Sequence, residues 1–142
     1  MWELFSFRGR TSRLGYWRVQ LLCAAGLAVA WMIGLFAMLG MGPIGAIFLA
    51  PMPVIYLAAL ATWFRRLHDR GKGIWWGLLF LLAPMIGGGV AENLQAQNAP
   101  ASDAESLPFL LAALAISGWA FIELGFVRGQ PGANRFGEPP VI

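Results

Sequence analysis

The sequence predicts an all-α, polytopic membrane protein: one integral domain, residues 1–142, with four transmembrane helices and both termini cytoplasmic. Three observations predict it. The chain is 58% hydrophobic and 12% charged, with a mean hydropathy of +0.65, whereas a soluble domain carries about 25% charged residues. Its apolar residues collect in four runs of spanning length. All ten of its Lys and Arg residues fall on one side of the resulting four-helix arrangement.

The first run, residues 19–39, contains no charge. About 21 residues rising ~1.5 Å each reach roughly 31 Å, the thickness of a hydrocarbon core. The run is too long for the apolar part of a cleaved signal peptide, and no small-residue cleavage site follows it. Cys23 lies inside it and is the chain's one cysteine, so no intrachain disulfide can form and a packed thiol is expected. Gly26, Ala30 and Gly34 recur every fourth residue. That spacing admits a close helix neighbour, from the same chain or from a second copy in a homo-oligomer, or else it is ordinary membrane filler.

A second run, residues 44–64, follows only "GMGP". Pro51 and Pro53 should kink or delay its helix. The third, residues 74–90, has about 17 residues, the lower limit for a span. The fourth covers residues 108–127. Between the last two, "AENLQAQNAPASDAES" (residues 91–106) reads as a polar external loop.

Charge supplies the orientation. Arg8, Arg10, Arg13 and Arg18 precede the first run; Arg65, Arg66, Arg70 and Lys72 separate the second and third; Arg128 and Arg135 follow the fourth. The opposite side carries Glu92, Asp103 and Glu105 and no cation. The positive-inside rule therefore places both termini in the cytoplasm. Dropping the short third span would move Arg128 and Arg135 to the wrong side. The isoelectric point near 9.8 is no nucleic-acid signature, because cations diluted among apolar runs form no soluble basic face. They read as membrane-surface charge, with anionic lipid as the expected partner.

The chemistry-bearing residues gather in three cytoplasmic segments. In "FSFRGRTSRLGYW", Thr11 or Ser12 is placed to cap a short helix carrying Arg13, Tyr16 and Trp17. In "FRRLHDRGKGIWW", Arg65 and Arg66 stand at helical spacing from Asp69, and Trp75 and Trp76 re-enter the membrane. Tyr16, Trp17, Trp75 and Trp76 are expected as interface anchors, because an amphipathic ring suits the headgroup level. The tail "GQPGANRFGEPP" demands turns.

Phe7, Gly9, Arg10, Arg13, Tyr16 and Trp17, then Arg65, Arg66, Leu67, His68, Asp69, Gly71, Lys72, Trp75 and Trp76, then Gly129, Gly132, Asn134, Phe136, Gly137 and Pro139, form three motifs in fixed order. Together they resemble a family of small bacterial inner-membrane proteins, domain of unknown function 805. The resemblance covers nearly the whole chain and implies a four-helix fold in the bacterial inner membrane. It implies no reaction. Glu123, where an apolar residue is expected, and the length of the 91–106 loop depart from the family pattern.

Metal chemistry is not expected. One His and one mid-membrane Cys cannot close a zinc site, and Asp69 is the lone acid of its segment, too few oxygens for a hard cation. No cofactor is implied. On a helix Asp69 points about 100° away from His68 and orients it poorly, and Ser6, Thr11, Ser12, Tyr16 and Thr62 lie in no nucleophile elbow. "DRGKG" lacks the glycine and the hydroxyl of a phosphate loop.

The sequence therefore reads as a non-enzymatic membrane component. It would bind anionic lipid or a partner protein through a cluster of Arg10, Arg13, Arg65, Arg66, His68, Asp69, Arg70, Lys72, Asn134 and Arg135. Asp69 is expected to bond an arginine of the N-terminal segment. Glu123, about 7.5 Å deeper than Arg128 along a helix, is expected to pair with an arginine of the cationic face. The alternative is a small transporter or channel subunit using the second helix and Glu123. A lipid-headgroup enzyme with His68 as base is weaker still.

Overall fold

The computed structural model describes residues 2–97 and 102–140. After a 3₁₀ turn at Trp2–Phe5 come α1 (Arg13–Met41), a 3₁₀ stretch (Gly42–Leu49), α2 (Met52–Asp69), α3 (Ile74–Gln97) and α4 (Ser102–Gly125). The chain divides into two compact units, Met1–Gly71 with Gly129–Ile142, and Lys72–Arg128.

The first unit is built on a helical hairpin. Ser12 caps α1: its backbone is extended and its hydroxyl accepts the Gly15 N–H at 3.1 Å. No separate short helix precedes the span. Nothing between Trp17 and Val19 breaks a helix, so Arg13, Tyr16 and Trp17 form the opening turns of α1 itself. Pro51 stands at the N-cap of α2 and Pro53 in its first turn, where a missing N–H removes no helical bond. The prolines therefore delay α2 to Met52, and the eight residues Gly42–Leu49 run as 3₁₀ helix.

The hairpin's register is antiparallel. Gln20 donates to the Ala59 carbonyl at 3.0 Å, Gly26 faces Ile55, Gly34 faces Leu49, and Gly45 lies on the backbone of Ala37 and Met38. The Gly26–Ala30–Gly34 face thus packs within the chain. A side chain on Gly34 would displace that of Leu49, so the small residue that the spacing suggested permits this close contact.

The second unit is the antiparallel hairpin of α3 and α4. Phe80 meets Trp119 at 5.1 Å between centroids, and a methyl on Gly87 would lie 3.1 Å from the Phe109 carbonyl oxygen. Gln95 donates to Ser106 at 3.2 Å. The expected loop at 91–106 is mostly helix: α3 continues to Gln97 and α4 begins at Ser102. Residues 98–101 of that loop lie outside the described residues. The segment's polarity argues against burial in lipid and not against helix, because Ala, Gln, Glu and Leu are all good helix formers. Asn93 is satisfied by the Gly89 carbonyl one turn back, at 2.8 Å. The third helix therefore has 24 residues and no shortfall in length.

Leu21, Leu22, Phe36, Leu39, Ile44, Met85, Leu114 and many more large apolar residues are exposed. Apolar surface on that scale belongs in lipid. Three apolar helical stretches, Arg13–Asp69, Ile74–Ala96 and Ala104–Gly125, are long and apolar enough to cross a membrane. The first of them is the α1–α2 hairpin.

Candidate functional site

α2 stops because Gly71 takes a left-handed conformation, φ +70°, which a side chain resists and glycine accepts. The Gly71 N–H bonds the His68 carbonyl at 2.9 Å, and Arg70 N–H bonds the Leu67 carbonyl at 3.0 Å. This closure leaves the last turn of α2 projecting Arg65, Arg66, His68 and Asp69 in different directions.

Asp69 is the centre of the first unit's polar cluster. Its Oδ1 accepts from Arg10 Nε at 3.1 Å and lies 2.9 Å from Arg10 Nη2. Its Oδ2 pairs with Arg66 Nη1. The expected bond between Asp69 and an N-terminal arginine is present, and the arginine is Arg10. Asp69 is 2% exposed and Arg66 is 0% exposed. Arg66 was expected at lipid phosphates; it is instead fully buried, because the carboxylate one turn away draws its guanidinium inward.

Arg10 does more than neutralise Asp69. Its Nη1 donates to the carbonyls of Gly132, at 2.6 Å, and Gly137, at 3.3 Å, and its Nη2 donates to the Gln130 carbonyl. A planar fork with five donors is what lets one side chain serve a carboxylate and three carbonyls. Gln130 N–H bonds the Asp69 carbonyl at 2.9 Å, and Thr11 N–H bonds the Arg65 carbonyl at 3.3 Å. Arg66 Nη1 also reaches the Thr11 carbonyl at 3.4 Å. The N-terminal segment, the end of α2 and the tail are thus tied through three residues.

His68 has a positional role in the same cluster. Its Nδ1–H donates to the Gly9 carbonyl at 3.2 Å, which fixes Nε2 as the unprotonated nitrogen of the neutral ring. The ring stacks on Phe136, 4.0 Å between centroids and 9° from parallel. Asn134 donates to the His68 carbonyl at 3.0 Å and to Gln130 Oε1 at 2.9 Å, while its own Oδ1 accepts the Phe136 N–H at 2.9 Å. Asn134 and Gly137 close the tail turn with mutual backbone bonds of 3.1 and 2.9 Å. Phe136→Ala should cost about 0.5–1.5 kcal/mol beyond the area lost, read as earlier tail cleavage in limited proteolysis.

Other sequence-predicted residues lie outside this core. Arg13 and Arg135 are exposed, and the Arg135 guanidinium sits 4.7 Å from the Phe136 centroid. Arg65 donates to Thr62 Oγ1 at 3.0 Å, and Arg70 is half-buried. Tyr16 is buried and meets Trp17 edge-on at 5.6 Å. Its ring is covered by protein, so it does not serve as a headgroup anchor. Trp17 is half-buried. Trp75 is 78% exposed.

Sequence reasoning undervalued Gly129 and missed Gln130. A Cβ on Gly129 would overlap the Asp69 carboxylate, so the tail can pass Asp69 only as glycine. Neither residue announces itself locally, although Gly129 belongs to the tail motif of the family resemblance.

In the second unit, Lys72 Nζ lies 3.6 Å from Glu123 Oε1 and 3.6 Å from the Trp76 centroid. The sequence placed Lys72 among headgroup cations and sought an arginine for Glu123; it did not indicate this pair.

The family described as "Protein of unknown function (DUF805)" matches residues 4–138. The inner membrane protein YhaH of Escherichia coli K12 is 38% identical over 140 residues, covering 96% of this chain and 88% of that protein. YhaH of Escherichia coli O157:H7 shows the same identity and coverage. No solved structure matches. The family model and the relatives cover nearly the whole chain, and its helices are long and apolar enough to cross a membrane: the chain belongs to the DUF805 family of proteins of unknown function, as an integral, multi-pass membrane protein.

Proposed function

We propose that this is a four-pass inner-membrane protein, with both termini in the cytoplasm, that holds anionic lipid headgroups at its cytoplasmic face without catalysing a reaction. Each hairpin makes two crossings in this reading: α1 and the 3₁₀–α2 arm, then α3 and α4. One-sided placement of all ten cations supports the orientation. Cysteines placed at Glu92 and Glu138 in a Cys23→Ser background test it. An impermeant maleimide should label position 92 in intact spheroplasts and position 138 only after permeabilisation; the reverse pattern refutes the topology.

The observation that carries lipid binding is the sorting of the cations. Arg10, Arg66 and Asp69 close on one another, while Arg8, Arg18 and Arg135 are exposed. The buried core sets the position of the segments, and the exposed arginines offer charge to phosphate. The non-enzymatic reading is supported by Asp69, which pairs with Arg10 and Arg66 instead of orienting His68, whose Nδ1–H goes to the Gly9 carbonyl.

The test is titration of the detergent-solubilised protein with phosphatidylglycerol and phosphatidylcholine. Each interfacial Arg contributes about 1 kcal/mol, so Arg8/Arg18/Arg135→Gln should weaken phosphatidylglycerol binding by up to roughly a hundredfold. The loss should shrink at high salt. Equal affinity of the parent protein for both lipids would sink the proposal.

A further inference from the structure

Lys72 is the only lysine in the chain. It lies on the connector between α2 and α3, flanked by Gly71 and Gly73. Its ammonium is 3.6 Å from the Trp76 centroid, 5.5 Å from Trp119 and 5.9 Å from Phe80, with Glu123 Oε1 at 3.6 Å. Three ring faces and one carboxylate around a cation are the chemistry that recognises ammonium groups.

The walls of this cage do not depend on the lysine. Trp76 meets Trp119 edge-on at 5.4 Å and 87°, Phe80 meets Trp119 at 5.1 Å and 78°, and Trp76 meets Phe80 at 5.8 Å and 52°. These are favourable aromatic geometries in themselves. α3 supplies Trp76 and Phe80, and α4 supplies Trp119 and Glu123. Lys72, by contrast, belongs to neither helix, and a glycine on each side gives its backbone unusual freedom. Its side chain is 17% exposed, and both tryptophans of the cage are exposed.

We propose that the cage is a binding site for the ammonium of a zwitterionic lipid headgroup, and that Lys72 is an internal ligand which the headgroup displaces. The exchange conserves charge. Before it, Lys72 is paired with Glu123. After it, the lipid ammonium is paired with Glu123, and the released Lys72 meets the phosphate of the same headgroup. A headgroup with phosphate and no ammonium offers Glu123 nothing and cannot complete the exchange. The site uses none of the exposed arginines and stands independently of the anionic-lipid reading.

Because Lys72 is the sole lysine, its acylation rate reports its departure from the cage. Wild-type protein in detergent is pulsed with an amine-reactive ester, and Lys72 modification is read by peptide mass spectrometry. Short-chain phosphatidylcholine, which has no reactive amine, should accelerate modification several-fold; phosphatidylglycerol of the same chain length should not. Native mass spectrometry of wild type and Lys72→Met then compares phosphatidylethanolamine with phosphatidylglycerol. The variant keeps the apolar stem and vacates the ammonium position, so adding Glu123→Gln to it should weaken phosphatidylethanolamine binding several-fold and leave phosphatidylglycerol binding unchanged. A response to choline, to ethanolamine or to both identifies the source of the ammonium. The proposal is overturned by an equal response to phosphatidylglycerol. It is equally overturned if phosphatidylcholine leaves the acylation rate unchanged and Glu123→Gln leaves phosphatidylethanolamine binding unchanged. The wild-type measurements stand even if the variant does not fold.

Discussion

Asp69→Asn is expected to lower the thermal stability of the detergent-solubilised protein substantially and to release the tail to protease. The substitution keeps the shape of the side chain and removes its charge. Two guanidinium groups, Arg10 and Arg66, then lose the anion between them, and the new amide presents N–H to N–H toward one of them. Removing one partner from a buried ion pair costs about 3–5 kcal/mol. The tail follows because Arg10 holds the carbonyls of Gln130, Gly132 and Gly137 only while Asp69 holds Arg10. Arg10→Gln combined with Asp69→Asn should be less than additive, with a coupling of about 0.5–3 kcal/mol. An Asp69→Asn protein with the parental melting temperature and the parental cleavage pattern shows that the cluster does not tie the segments together.

Gly129→Ala is expected to destabilise the protein by prising the tail from Asp69. Its Cβ would overlap the Asp69 carboxylate, and that carboxylate cannot step aside while both oxygens are paired. The chain at residue 129 must shift, which pulls Gln130 N–H from the Asp69 carbonyl. Overpacking of this kind costs about 1–3 kcal/mol. Gly132→Ala is the control: a Cβ there meets nothing within 4 Å, so its melting temperature should match the parent's. If the two variants melt together, close approach at Gly129 is no constraint on the fold.

The helices were legible because their signals are local. Run length, the absence of charge and the proline positions are read within some twenty residues, and they give α1, α2 and the hydrophobic part of α3 and α4. The boundaries of α3 and α4 were less legible. Hydropathy reports where lipid ends, whereas the helix continues as long as Ala, Gln and Glu can complete backbone bonds. Asn134 and Phe136 stood out through the tail motif, but their partners, the His68 carbonyl and ring, lie 66 and 68 residues earlier.

The sequence by itself determined a charge-poor chain of long apolar helices with every cation in three segments, since composition and spacing decide what a bilayer can accept. Only the tertiary structure decided which cations turn inward. Ten basic residues look alike in one dimension. Arg10 and Arg66 are buried because Asp69 stands between them, and Gly129 lets the tail pass close enough to complete the shell. Lys72 is set apart by another hairpin, where three rings and Glu123 enclose its ammonium. Those contacts join residues 59 and 120 positions apart in the first unit and opposite arms of the hairpin in the second. No local pattern encodes such separations, because burial of a charge is decided by what the folded chain brings beside it.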